Sequence, residues 1–187
     1  MKKHMHMLNL AKFGGVYISE YQAGKQLERF HADNPNIVRV FHAEIQEALR
    51  SNDCVLVSPH ERRRQFFNKW GDDLFKEAYA FIPQATVTDQ TKFAMLGTRR
   101  RLSKYYKKLF YFCLESHDSS LALVHESILD EYCPIMKEEM ERPINFKKCS
   151  LSRDYDLSIP ADFKVGRRWI EYSKDWPDGM KKYEVKS

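Results

Sequence analysis

Four cysteines are all the chain offers in 187 residues, and Cys54, Cys113, Cys133 and Cys149 stand far apart. None belongs to a C-x-x-C pair or lies at zinc-ligand spacing from a histidine. Neither a disulfide framework nor a zinc site is suggested, and the four read as reduced thiols. Long apolar runs are also missing. No segment approaches the 18 or so residues of a membrane span, and the Met1 region, with Lys2, Lys3, His4 and His6, has no apolar core of a signal peptide. The expectation is a cytoplasmic protein with no membrane partner. Charge of one sign is scarce too: 31 Lys and Arg against 26 Asp and Glu give +5 and a pI near 8.9. That is a mild bias toward polyanions, which many unrelated proteins share. No repeat or low-complexity stretch is visible. What remains is a chain 43 % apolar, enough for one ordinary domain, or a large piece of one, to bury a core.

Periodicity supplies the elements. Met1–Gly15 has helix-forming Met, Leu, Ala and Lys and closes on Gly14-Gly15. Val16–Phe30 and Pro35–Arg50 predict two helices split at Ala32-Asp33-Asn34-Pro35, the second with Ile37, Phe41, Ile45 and Leu49 on one face. Cys54–Val57 predicts a strand that runs into Ser58-Pro59-His60-Glu61-Arg62-Arg63-Arg64. Asp72–Ala80 is helical, with acids in its first turn. A longer helix is expected from about Pro83 to Leu114, with Leu102, Tyr105, Leu109 and Phe112 as its stripe and Arg99, Arg100, Arg101, Lys104, Lys107 and Lys108 around it. Pro134–Arg142 predicts a short helix, and Leu157–Trp169 an alternating strand that breaks at Gly166. The tail from Ser173 is polar and expected to fray.

Ser119–Glu131 attracts the most interest. Two short apolar runs flank His125-Glu126-Ser127, which predicts a β-hairpin with that tripeptide at its tip and an acid placed to bind a metal. A plain surface turn is the alternative.

This stretch resembles the third catalytic motif of the family A DNA polymerases, the DNA polymerase I type. There a strand-turn-strand presents His-Asp-Glu or a variant such as His-Asp-Ser, and the Asp holds the catalytic metals. On this alignment Glu126 takes the place of the Asp, with one methylene more, and His125 sits near the primer terminus. Other segments resemble the same family in the same order. Lys2, His6 and Leu10 follow the four-residue spacing of its nucleotide-binding fingers helix, which implies that Lys2 and His6 bind nucleotide; the family's Tyr-Gly is Leu10-Ala11 here. Pro59–Arg64 resembles its Pro-x-Gly-Arg-x-Arg turn, with Glu61 for the Gly, which implies DNA contacts for Arg62 and Arg64. Phe81–Asp89 resembles the Pro-x-Gln-Gly-Thr-Ala-Ala-Asp start of a palm helix, which gives Gln84 a minor-groove role; Lys76, two turns earlier on the preceding helix, falls where the family often has a DNA-contacting Arg. The Met-Glu helix, the Ile159-Pro160 strand and Gly166-x-x-Trp169 resemble the family's C-terminus.

The resemblance implies an α+β fold: helical fingers elements over 1–57, a palm portion over 58–172 with an antiparallel sheet, and a polar tail over 173–187. It implies template-directed deoxynucleotide addition with two Mg²⁺ ions on primer-template DNA, in host cytoplasm if the gene is a phage's. The family's first catalytic motif, with its other essential Asp, is not among these residues. The chain is therefore expected to need an upstream polymerase polypeptide, as half of a split enzyme, and to be inactive alone. A degenerate DNA-binding relative without chemistry, or an unrelated helical interaction protein, are the alternatives.

Overall fold

The computed structural model of the chain describes residues 18–185. The helix expected over Met1–Gly15, with Lys2 and His6, lies outside the described residues. Helix α1, Glu20–Asp33, begins where Ser19 makes a capping box: its Oγ accepts from the Gln22 amide (3.2 Å), and the Gln22 side chain accepts from the Ser19 amide (2.8 Å). That cap sets the start four residues after the expected Val16. Asn34 ends the helix by donating its side-chain amide to the Phe30 carbonyl. After Pro35 the chain forms a π-helical stretch, Ile37–His42, that runs into α2, Ala43–Ser51. Ile45 and Leu49 are buried, as their spacing predicts.

Strand β1, Val55–Val57, pairs antiparallel with β2, Arg63–Gln65. Helix α3 is one continuous element of 30 residues, Asp72–Arg101, about 45 Å long. Pro83 lies within it, so there is no boundary near Ala80. An interior proline costs roughly 3 kcal/mol. The burial of Phe81, Ile82 and Ala85 around it offsets that cost. Helix α3 also joins the two cores. Its first half packs Leu74, Ala78, Phe81 and Ile82 with Ile45, Leu49, Leu56 and Ile144; its second half packs Ala94 with Leu102, Phe110, Ile128, Tyr132 and Met136.

The expected extension of this helix to Leu114 is overturned. The helix stops at Arg101, Lys107 takes a left-handed φ of 63°, and the aromatic run Phe110-Tyr111-Phe112 forms strand β3, Phe110–Ser116. Aromatic side chains suit a pleated, half-buried surface. The stripe Leu102–Tyr105–Leu109–Phe112 still meets one core, now from a turn and a strand.

Strand β3 pairs antiparallel with β4, Ser119–Val124. A 3₁₀ turn, Glu126–Ile128, leads into α4, Leu129–Met140, which packs against α3. Ile128 and Leu129, expected as the hairpin's second strand, are therefore helical, and Ile128 packs into the second core. The expected single palm sheet is instead four separate two-stranded sheets: β1-β2, β3-β4, Ile144–Asn145 (β5) with Asp156–Leu157 (β6), and Phe163–Val165 (β7) with Lys181–Tyr183 (β8). As far as Val185 the tail is built rather than frayed: β8 belongs to it, and the Tyr183 hydroxyl donates to Asp130 at 2.7 Å. That bond, with burial and the same carboxylate's charge, moves the phenol up to about 12. The mixed architecture is α+β, as expected.

Candidate nucleic-acid interface

The β3-β4 hairpin turns at His117-Asp118, with Ser116 opposite Ser119. A two-residue hairpin turn that follows the strands' twist needs a positive φ at its first central residue. His117 takes it, at 47°. A non-glycine residue held there stores on the order of 1 kcal/mol of strain, and the Ser119 hydroxyl, donating to the Ser116 carbonyl at 3.1 Å, helps to lock the turn. His117, Asp118 and Ser119 are exposed at its tip.

This placement corrects the expected position of the hairpin's turn. His125-Glu126-Ser127 lies at the opposite end of β4, where His125 caps the 3₁₀ turn: its Nδ1 accepts from the Ser127 amide at 3.2 Å. Glu126 faces away into an exposed ion pair with Arg167 at 2.9 Å. The residues that a strand-turn-strand does present are His117-Asp118-Ser119, which is itself a His-Asp-Ser sequence.

One register shift tunes the hairpin's faces. Up to Phe112, residues pair Phe110 with Val124 and Phe112 with Ala122, and these face the core; Tyr111 and Leu123 face out. Cys113 is then an extra residue, and a bulge of this kind flips the alternation. Glu115, opposite Ser120, thereby lands on the inner face and reaches Lys92 of α3 at 3.4 Å.

Lys92 stands one turn from a second pair. Asp89, with a side chain 8 % exposed, accepts two bonds from the Arg62 guanidinium, the Nε one at 2.9 Å. The bidentate bond raises the Arg62 pKa, against the effect of burial. His60 completes the group, 5.0 Å from the Phe93 ring and bonded to Gln90, with an Nε2 that has no protein partner. Burial lowers its pKa and outweighs the charge of Asp89 and the Gln90 bond, which act to raise it. So the β1-β2 turn, the middle of α3 and the outer half of the hairpin are joined by charge. Glu61 in that turn takes φ 63°, the left-handed conformation that favours the glycine of the resembling motif. Lys148 pairs with it at 2.6 Å and lowers its pKa.

The other candidates divide. Gln84 is exposed on α3, about 12 Å along the axis from Lys92. Arg64 is half exposed but held by Glu77 at 2.7 Å and by the Phe66 ring face. Lys76 is exposed and pairs loosely with Asp73, 3.7 Å away, a turn earlier on its own helix. Sequence reasoning missed Asp118, Lys92, Asp89 and Glu115. The signal for the first was present: the polar break Glu115–Ser120 lies between the apolar runs Phe110–Leu114 and Leu121–Val124.

No three His, Cys, Asp or Glu side chains converge as a metal cluster among the described residues. No described helix is long and apolar enough to cross a membrane.

The described residues form a mixed α+β fold in which a two-stranded hairpin is joined to a long helix. Among solved structures the chain is similar to the POL domain of Pol1 from M. smegmatis, in complex with DNA primer-template and dNTP, with a TM-score of 0.56 and 19 % identity. The match covers 71 % of this chain and 24 % of that one, so the chain spans about a quarter of that structure's length. No family model matches the sequence, and no curated protein does.

Proposed function

We propose that the chain is the C-terminal palm-bearing portion of a family A DNA polymerase, and that Asp118, rather than Glu126, is its metal-binding carboxylate. The observation that carries this is the His117-Asp118-Ser119 turn, strained at His117 and raised on an antiparallel hairpin beside α3. The likeness to a polymerase bound to primer-template and dNTP supports the same ligands here. Gln84 and Arg62 would face the duplex, Gln84 through acceptors common to every base pair in the minor groove. Lys92 and Glu115 hold the hairpin to α3, so that Asp118 keeps its place.

Two Mg²⁺ ions would activate the primer 3′-hydroxyl and stabilise the leaving pyrophosphate when bound. The described residues do not fit that pair by themselves: Asp118 supplies one exposed carboxylate, and Mg²⁺ held by a single carboxylate keeps most of its water. The missing carboxylate is assigned to an upstream polypeptide, without which the chain does not extend a primer.

The assignment of Asp118 can be tested on the chain alone with Mn²⁺, whose unpaired electrons broaden nearby amide resonances. Excess Mn²⁺ is expected to broaden His117–Ser119 first; Asp118→Asn removes the effect and Glu126→Gln leaves it. Broadening centred on Glu126 and indifferent to Asp118→Asn would contradict the assignment. The non-catalytic DNA-binding reading keeps one observation in its favour, Glu61 in a left-handed turn, and it predicts DNA binding with no response to Mn²⁺.

A further inference from the structure

We infer that the C-terminal lobe, from Gly166 to Lys182, is a binding surface for single-stranded DNA; its Arg167 pairs with Glu126, just past the end of β4 opposite Asp118. This rests on the DNA-binding reading above but uses none of its residues. Two of the chain's three tryptophans are here. Trp169 is 70 % exposed and Trp176 43 %, with Tyr172 between them at 50 %. Trp169 makes no ring contact among the described residues. Phe67 and Tyr21 are as exposed, so exposure alone decides nothing; what distinguishes this lobe is three such rings within eight residues of chain, a candidate binding surface.

Their backbone is rigid. The two passes of chain are tied by Arg167 and Arg168 amides to the Asp178 carbonyl (2.9 and 3.1 Å), Met180 to Ile170 (2.7 Å) and Tyr172 to Met180 (3.3 Å). Gly166 and Gly179 approach so closely that a Cβ on the first would stand 2.6 Å from the backbone of the second. Aromatic faces fixed in this way lose little entropy when a flat ligand stacks on them.

Cations sit among the rings. Lys181 Nζ lies 4.0 Å from the Tyr172 centroid and Arg168 Cζ 5.6 Å from that of Trp176. Between Phe163 and Val185 there are six Lys and Arg and four Asp and Glu; Lys164, Arg167, Arg168 and Lys182 pair with Glu171, Glu126, Asp178 and Asp162, and among the described residues Lys174 and Lys181 make no ion pair. A cleft of about 440 Å³ opens between Arg167, Pro177, Asp178 and Lys181. The ion pair that occupies Arg167, with Glu126, is exposed on both sides, so it is worth little and yields to a phosphate. Aromatic platforms with cations beside a groove are how proteins hold single strands without reading their sequence.

The experiment uses fluorescence anisotropy of a labelled oligothymidylate of about 12 nucleotides, and of a blunt duplex, with the whole chain and its Trp169→Ala variant. Stacking of one base predicts that the variant loses about five- to a hundred-fold in affinity for the oligothymidylate, with duplex affinity and thermal midpoint unchanged. Because Trp169 is exposed, the variant folds. Arg167→Gln should flatten the salt dependence of single-strand binding. Equal affinity of wild type and Trp169→Ala for the oligothymidylate, or no single-strand binding beside retained duplex binding, overturns this inference and leaves the polymerase reading standing. Failure to bind either DNA overturns both.

Discussion

Asp89 is the residue on which the proposed interface depends structurally. Its carboxylate is nearly buried, and the charge that compensates it belongs to Arg62, which is 46 % exposed. Removing one partner of a fully buried pair costs 3–5 kcal/mol, and the open side of Arg62 reduces this to about 2 kcal/mol. Arg62→Ala is therefore expected to lower the free energy of urea unfolding by about that amount, with Arg62→Lys between, since an ammonium cannot make the bidentate bond. An unchanged urea midpoint would show that water replaces the guanidinium. The sequence alone offered Arg62 as a DNA contact; its partner lies 27 positions away, on a helix face that no local pattern reveals. Asp118 was missed for a different reason, although the polar break around it was there to be read. His117-Asp118 has no glycine or asparagine to announce a turn, and the spacing of Leu102, Tyr105, Leu109 and Phe112 fits a helix as well as it fits the observed turn and strand.

Between elements, the contact of α3 with α4 is polar at its centre. Glu139, 3 % exposed, is met by Arg101 at 3.3 Å and Arg142 at 2.5 Å, and its carboxylate lies directly over Gly97. The side-chain Nε2 of Gln90 lies 3.0–3.2 Å from the carbonyls of Glu139, Met140 and Arg142, and its two hydrogens, shared among the three, satisfy the end of α4. Gly97→Ala should gain about 1 kcal/mol of helix propensity. The new methyl must displace a buried, doubly paired carboxylate, at a cost on the order of 1–3 kcal/mol. A net loss of stability in denaturant unfolding is expected, and a net gain would mean that Glu139 moves freely. Helices α1 and α2 and strand β1 were legible because a strong period or a cap marks them; of α4 only the part from Pro134 was, because Ile128-Leu129 also fits a strand. The unbroken α3 was not, since Pro83 signals a helix start and only packing overrides it.

At the scale of the molecule, two cores hang on one helix, and the second should fail first in alkali. Burial, helped by Asp130, raises the Cys133 thiol from 9.0 to about 11, and burial raises the Tyr132 phenol beyond it. The folded state therefore holds protons that the unfolded chain releases from about pH 9. Stability should be level below pH 9 and fall as pH rises through 11, by up to about 3 kcal/mol for the thiol alone. Cys133→Ala should flatten that part of the profile; an unaltered slope would point to the tyrosines.

The α+β class could be read from the sequence, but its division into four small sheets could not, because pairing partners such as β7 and β8 are separated by a lobe with no strand pattern of its own. The central claim, that this is a polymerase palm, is tested most directly by equilibrium binding of the chain to a labelled primer-template and to a single strand of the same length at one low salt concentration. The account predicts tighter binding to the primer-template, because the duplex adds the Gln84 and Arg62 face to whatever the overhang contributes. Equal affinity for the two, or affinity for neither, would contradict it.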